Sequence, residues 1–256
     1  MFDASRISSN SDLVVLSCIF ICIADKFSST QAMDYCSICN GAQTICRFPS
    51  DTPSANCDKY INAPLTSSEI QSLVDKHNEL RTNVAEGRET RGNPGPQPAA
   101  TDMKTLSWDN ELATVAQRWA DQCAANPHDD CRDIDRFPVG QNVATLWNSE
   151  EITEPVVNLI NGWYDEVAMF NNQEISRFRF AHETGHYTQL VWANTSLIGC
   201  GRVRFWDTGR QMNTLRLICN YGPAGNVIGL PIYNVRTPSF RCSRSIRVKA
   251  WFRFCN

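Results

Sequence analysis

The chain has 256 residues, 24 basic against 27 acidic side chains, a formal net charge of −3 and 12 cysteines. That length suits one large domain or two small ones and is ample for a real core. The near balance of charge, with no long Lys/Arg run in the body of the chain, argues against nucleic acid as a partner.

Residues 13–24 form an apolar run in which Cys18 and Cys22 stand among Leu, Val, Ile and Phe side chains. The run is too short to span a bilayer but suits the core of a signal peptide. Ala24 and Ala32 offer two cleavage positions, so residues 1–32 are expected to be a signal segment, and the mature chain is expected to carry no transmembrane segment. Arg6 is the only basic residue ahead of the run, against Asp3 and Asp12. The alternative is a buried N-terminal strand. Ten cysteines follow, an even number that reads as five disulfides and a secreted, extracellular protein. Zinc ligation by Cys36-x-x-Cys39 competes with that reading, but no second such pair and no histidine stands at finger spacing.

Residues 33–65 read as a cysteine-rich, turn-rich lead. Thr66-Ser67-Ser68-Glu69 then has the form of a capping box, and Ile70, Leu73, Val74, His77, Leu80 and Val84 follow at helical spacing. The pattern predicts a first helix, with His77 as a packed core residue making one hydrogen bond. Residues 87–101 carry Pro94, Pro96, Pro98 and three glycines, and read as a long surface loop. Asp109 can cap a second helix with the face Leu112, Val115, Ala116, Trp119 and Cys123. A third helix is expected from about Thr153, with Pro155 in its first turn and Val156, Leu159, Ile160, Trp163, Val167 and Phe170 as its face. Residues 188–192, 200–205 and 216–221 have strand character. Helices early and strands late, without βαβ alternation, predict an α+β domain over 66–233.

The remainder, 234–256, is a basic tail. It carries Arg241, Arg244, Arg247, Lys249 and Arg253, and no acid follows Pro238. Apolar Ile246, Val248, Ala250, Phe252 and Phe254 alternate with basic and aromatic residues, so a strand there has one apolar and one basic face. Such a face suits a sulfated glycan or an anionic surface. The alternative is a solvated edge strand that uses charge against aggregation.

Several motifs stand in a definite order. Gly185-His186-Tyr187-Thr188-Gln189-Leu190-Val191-Trp192-Ala193-Asn194-Thr195 and Cys219-Asn220-Tyr221-Gly222-Pro223-Ala224-Gly225-Asn226 are the longest. Ahead of them come His77-Asn78-Glu79-Leu80-Arg81, Glu89-Thr90-Arg91-Gly92-Asn93-Pro94-Gly95-Pro96, and Cys131-Arg132-Asp133 leading to Val139-Gly140-Gln141-Asn142. Together they resemble the CAP superfamily of cysteine-rich secretory, antigen 5 and pathogenesis-related 1 proteins. Residues 34–233 resemble insect antigen 5-type venom or salivary allergens most. Arg216 departs from the apolar or aromatic residue usual at its place.

The resemblance implies an α-β-α sandwich stapled by disulfides. It implies the pairs Cys36–Cys46, Cys39–Cys131, Cys57–Cys123 and Cys200–Cys219. Cys242 and Cys255 are left over, outside the shared core, to pair as Cys242–Cys255. It also places His128, Glu166 and His186 in a cleft. Two imidazoles and a carboxylate are a donor set for zinc or copper, though no cofactor is required. The family pattern has two histidines and two glutamates, and Gln141 stands where the first glutamate is usual. An amide brings neither negative charge nor a base, which weakens a hydrolase reading. The alternative is architectural, with the paired side chains only holding helices to sheet.

His182-Glu183-Thr184-Gly185-His186 spells the His-Glu-x-x-His motif of zinc proteases. That chemistry needs both histidines on one helical face, Glu183 as base and a third ligand downstream. Gly185 weakens a helix there, and no histidine follows residue 186, so the match reads as coincidence. No Gly-x-Ser-x-Gly, Arg-Gly-Asp or phosphate-cradling loop occurs. Asn194-Thr195-Ser196 is a glycosylation sequon. The expected function is that of a secreted, non-enzymatic binding protein for a small mediator, a lipid, a metal or a host or surface component. The alternative is a metal-dependent hydrolase using the cleft.

Overall fold

A computed structural model describes residues 33–237. The expected signal segment, Cys242–Cys255 and the basic residues of the tail lie outside the described residues.

The lead opens with a 3-10 turn, Tyr35–Gly41, followed by the short helix α1, Thr44–Arg47, and strand β1, Asp58–Ile61. Helix α2, Ser67–Ala85, starts on the capping box: Glu69 N–H donates to the Thr66 hydroxyl at 3.2 Å, and Thr66 N–H donates to the Glu69 carboxylate at 2.8 Å. Strand β2, Ser107–Trp108, leads into helix α3, Asn110–Ala120, whose cap is Asp109. Cys123 falls beyond that helix, in a left-handed backbone conformation and disulfide-bonded to Cys57. Helix α4, Val156–Asp165, begins after Pro155, which is its cap rather than a first-turn residue. It ends earlier than its apolar face does. Residues Glu166–Met169 tighten into a 3-10 turn that still buries Val167, with Phe170 buried behind it.

Helix α5, Gly185–Leu190, replaces the strand expected over 188–192. Tyr187, Thr188, Gln189 and Leu190 are all buried. A helix enclosed on every side has no polar face and therefore no 3.6-residue period, and its β-branched and aromatic content then reads as strand. The two later expected strands are real: β4, Leu197–Asp207, and β5, Met212–Gly222. Strand β3, Gly140–Asn148, was not foreseen in the sequence, nor were β1 and β2.

The strands form one sheet in the order β1-β4-β5-β3, with β2 pairing in parallel on the β1 edge of β4. β4 and β5 make a long antiparallel hairpin, joined across it by Cys200–Cys219. Period-2 alternation sends Leu215, Leu217, Cys219 and Tyr221 to one face, where α2, α4 and α5 cover them. Ile218, Val203 and Phe205 face the other way, toward α3. The result is a three-layer α-β-α sandwich. α3 lies very close to β4: a Cβ on Gly201 would sit 2.4 Å from the Gln117 backbone, and one on Gly199 would sit 2.2 Å from Ala113 N. Arg216 is buried on the α3 face, donating to Ala124 O at 2.7 Å and to the Thr145 hydroxyl at 3.2 Å. Its long side chain thereby fills a place that an apolar residue could take.

Residues 87–101 form neither helix nor strand, yet they are not simply a surface loop. Glu89, Gln97 and Ala100 are buried, and Gln97 N–H donates to Glu89 O at 2.9 Å. Arg81, on α2, is 2% exposed and donates to the carbonyls of Lys104, Leu190, Trp192, Ala193 and Thr195. This buried cation ties α2 to the end of α5. Cys36–Cys46, Cys39–Cys131 and Cys57–Cys123 staple the lead to itself and to the body. Cys36 and Cys39 are thus consumed by different partners, which removes the Cys-x-x-Cys pair as a zinc site. The packed body runs past residue 233, since Arg236 N–H still donates to Ala99 O at 2.7 Å. No helix among the described residues is long and apolar enough to cross a membrane.

Candidate functional site

The cleft is assembled from four places in the chain. His128 lies in the irregular segment after α3. Trp119 Nε1 donates to Pro127 O at 2.9 Å, and the neighbouring Asp129 is held by Thr44 and Arg132. Gln141 comes from β3. Glu166 follows α4, and His186 sits in the first turn of α5. A cavity of about 120 Å3 is lined by His128, Gln141, Asn142, Phe180, His182 and His186. The resemblance singled out three of these; His182 belonged to the protease-like motif.

Glu166 is almost wholly engaged. Its Oε2 accepts from the backbone N–H of His186 at 2.9 Å and of Tyr187 at 3.1 Å, and its Oε1 accepts from His186 Nδ1 at 2.6 Å. Helix α5 has no side-chain cap of its own. The carboxylate therefore caps it from a neighbouring element and complements its N-terminal partial charge. The same bond fixes the His186 ring, because a carboxylate only accepts and Nδ1 must be the donor. In the neutral ring Nε2 then carries the lone pair. Trp163 stacks on His186 with centroids 6.0 Å apart and planes 18° apart.

His128 is oriented in the same manner. Its Nδ1 donates to Gln141 Oε1 at 2.7 Å, while Gln141 Nε2 donates to Asn220 Oδ1 at 3.0 Å. Burial holds His128 below its ordinary pKa, against the opposing pull of the Gln141 bond. With Nδ1 engaged in each ring, Nε2 is the atom that both imidazoles leave open to a metal. The rest of a metal's coordination is thin. Among the described residues, the group of three or more His, Cys, Asp or Glu whose ligating atoms converge is Cys39, Cys131 and Asp133, and two of those are a disulfide. The cleft supplies two imidazoles, an amide and a carboxylate already spent on architecture.

A buried chain of hydrogen bonds supports the cleft from below. His77 Nδ1 donates to Leu73 O at 2.8 Å, and His77 Nε2 meets the Tyr221 hydroxyl at 2.8 Å. Asn142 Nδ2 reaches the Tyr221 oxygen at 3.4 Å and His186 O at 3.1 Å. His77 is a fully buried core residue, with two hydrogen bonds rather than one. The His182-to-His186 motif does not lie on one helix. His182–Thr184 is a 3-10 turn, and Thr184 has non-helical angles (φ −137°, ψ 7°) before α5 begins. Glu183 is exposed, whereas His182 joins the cavity wall.

A groove of about 420 Å3 leads away from His186, between residues 143–146 of β3 and the Leu159, Gly162 and Trp163 positions of α4. Nothing among the described residues lies within 4 Å of a Cβ built on Gly162. Elsewhere the apolar faces of α2 and α4 are consumed by the core.

The family model described as the cysteine-rich secretory protein family (CAP) matches residues 74–221, more than half of the chain. The chain belongs to the CAP family. It is 46% identical to Venom allergen 3 homolog of Dinoponera quadriceps over 224 residues, covering 84% of this chain and 96% of that protein. It is 44% identical to Venom allergen 3 of Solenopsis invicta, covering 87% and 99%. Among solved structures it is similar to BmVAL-1, with a TM-score of 0.58 at 30% identity over 68% of this chain and 85% of the other. The crystal structure of NaASP2 with Zn2+ gives a TM-score of 0.56 at 28% identity over 73% and 92%. The CAP resemblance and the sandwich it implies therefore hold.

Asn142, Phe180 and Trp163 went unrecognised as parts of this CAP cleft. Asn142 ends a quoted motif and Trp163 lies on a predicted apolar face, but neither position signals a polar cleft. Phe180 carries no sequence signal. Asn194 is exposed in the turn before β4, with the Lys104 ammonium 2.6 Å from its Oδ1.

Proposed function

We propose that this CAP protein is secreted and acts by binding rather than by catalysis, as an extracellular protein of venom-allergen type. The observation that carries this reading is the spent carboxylate. Glu166 accepts three hydrogen bonds that build α5, and Gln141 stands where an acid would give the cleft a second one. The metal-dependent hydrolase reading needs a base free to activate water. Glu166 is spent, no acid among the described residues lines the cavity of about 120 Å3, and the open Nε2 atoms of His128 and His186 would be taken up by the metal itself. Secretion is supported by the four disulfides among the described residues, since such bonds persist in oxidising compartments, and by venom allergens as relatives. Zinc or copper would be held by His128 and His186 through Nε2, with the remaining coordination left to solvent. Such a two-imidazole set is weak and exchangeable. One observation favours the competing hydrolase reading: the groove along β3 ends at His186.

The test is elemental mass spectrometry of the secreted protein after dialysis against zinc and copper and then against plain buffer. A His128→Ala/His186→Ala double variant runs beside it, with peptide and ester hydrolysis assayed on the same samples. The expected result is metal that washes out and no metal-dependent turnover. One retained equivalent, lost in the double variant together with turnover that His186→Ala abolishes, would establish the hydrolase instead.

A further inference from the structure

The sheet ends differently on its two sides. On one side lies β1, which has four residues, carries Asp58 and Lys59, and shifts register against β4 where Lys59 takes a left-handed backbone (φ 47°). Shortness, charge and irregular pairing are the devices that keep an edge strand from pairing with another chain. On the other side lies β3, and it has none of them. It runs for nine residues, contains no charged residue and no proline, and pairs with β5 without a shift from Gly140 to Asn148. Among the described residues, no N–H or C=O of 140–148 makes a backbone hydrogen bond outside the ladder with β5. In an antiparallel strand every second residue turns both groups away from its partner. β3 therefore presents a row of donors and acceptors to whatever lies beside it, and its residues from Ala144 onward are half-buried or exposed.

What lies beside it is the groove that leads away from His186. Val143, Ala144, Thr145 and Leu146 all line that groove. Successive side chains of a strand point to opposite faces, so a groove that touches four in a row runs along the strand's edge, where the backbone is. The facing wall is α4, and it recedes at Gly162, which has open space where a Cβ would stand. The volume, about 420 Å3, lies within the range of ligand sites. The charge around the groove is negative. Glu154 lines it, Glu150 and Glu151 stand exposed in the turn after β3, and no Lys or Arg among the described residues lines it. Of these three carboxylates, Glu151 alone has an ion-pair partner among the described residues, Arg204 at 3.5 Å. Arg210, over the Trp147 ring at the strand's end, is itself paired with Asp207.

We propose that β3 and α4 form a docking groove for an extended, basic segment of a partner protein, which adds to the sheet as a further strand beside β3. Backbone bonds to β3 hold the segment in place, and one of its faces packs toward Ala144, Leu146 and the open position at Gly162. Its basic side chains meet Glu154 and the carboxylates beyond it. This rests on the binding role proposed above and names a class of partner for it. It asks nothing of metal or of turnover, so the two readings can fail separately.

The test is an NMR titration of the isotope-labelled full chain with the blocked peptide Lys-Val-Thr-Val-Lys-Val-Thr. Amide shifts are expected in residues 143–148 and 158–163. The acidic counterpart, Glu-Val-Thr-Val-Glu-Val-Thr, should bind at least about tenfold more weakly. Two further peptides carry N-methyl groups, one on its odd residues and one on its even residues. A strand paired through one edge uses only every second N–H, so one of the two should keep its affinity and the other lose it. Gly162→Leu fills the groove from an exposed helix position and favours the helix, while Glu154→Lys reverses the charge. Each should weaken the basic peptide at least about tenfold. No shifts along β3, equal affinity for the basic and acidic peptides, equal affinity for the two methylated peptides, or unchanged binding by Gly162→Leu would each overturn the proposal. So would a concentration-dependent dimer in sedimentation that Trp147→Lys disperses, which gives the edge to a second copy. Peptide binding that emerges only once residues 239–256 are deleted would overturn it too, in favour of the chain's own tail.

Discussion

His77 links acid stability to the support of the cleft. It is fully buried among α2, β5 and Trp163, and burial holds its pKa down to about 4 against an ordinary 6.5. The unfolded chain takes up this proton near the ordinary value, and the folded chain only near the lowered one. Between the two, the unfolded state binds more protons, so stability falls as pH falls; above the ordinary value the contribution is complete. At ~1.36 kcal/mol per pKa unit the loss is about 2 kcal/mol at pH 5 and tends to about 3 kcal/mol below pH 4. The chemistry at the ring explains the sign. Neutral His77 donates from Nδ1 to Leu73 O and accepts at Nε2 from the Tyr221 hydroxyl. Protonation turns Nε2 into a donor and reverses that second bond. Urea unfolding with disulfides intact, at about pH 7.5 and about pH 5, measures the loss. Glu69, Glu89, Glu174 and Asp207 all have lowered pKa values and lose their contribution only below this window. The control is His77→Gln, whose amide can still donate to Leu73 O and accept from Tyr221. The variant should lose about 2 kcal/mol less than the parent between the two pH values. Equal losses in the two proteins would refute the reasoning, since His128, also lowered by burial, is present in both.

Three further outcomes follow from the packing. Arg81→Met leaves five carbonyls, four of them in buried residues, without their shared donor and should cost at least about 3 kcal/mol by urea unfolding; a loss under ~1 kcal/mol would mean that water replaces the guanidinium. Gly201→Ala drives a methyl into the Gln117 backbone and should cost about 1–3 kcal/mol; an unchanged melting temperature would show that α3 shifts freely on the sheet. Protein secreted from insect cells should shift on a gel after peptide-N-glycosidase treatment, and Asn194→Gln should remove that shift. Identical treated and untreated mobility of the parent would leave the sequon unused.

Much of this fold could be read in the sequence, and the failures have physical causes. α2 was legible because its capping box and one-sided apolar face agree. α3 was legible from its Asp109 cap and its one-sided apolar face. α5 was not, because a helix buried on every side loses the period by which helices are recognised. β3 was missed because its burial does not alternate: Asn142 and Val143 are both buried, and the residues after them are progressively exposed at the sheet's edge. That strand carries Gln141, so the cleft's amide was found by resemblance and not by pattern. His128 and His182 both lie outside regular helix and strand of any length. Their convergence depends on the anchoring of the 127–131 segment and on the turn that precedes α5, which local sequence does not announce.

The arrangement around Glu166 bears on how such a cleft should be interpreted. A His–Glu pair in a pocket can serve catalysis with the carboxylate only orienting the ring and the free Nε2 acting as base. Here both carboxylate oxygens are bonded to α5, one to two backbone N–H groups and the other to the ring of the same helix. Removing that carboxylate would uncap the helix as well as free the ring, so loss of function in a Glu166 variant could not by itself distinguish chemistry from folding. Glu166→Gln keeps one acceptor oxygen for the backbone and gives up the charge, and is the sharper substitution. His128 has the same logic with a neutral partner, since Gln141 fixes its ring without supplying charge. Two rings are thus pre-aimed at one small cavity by groups whose other bonds belong to the scaffold. The fold needs these contacts whether or not a metal visits, so the cleft's geometry alone is no argument for turnover.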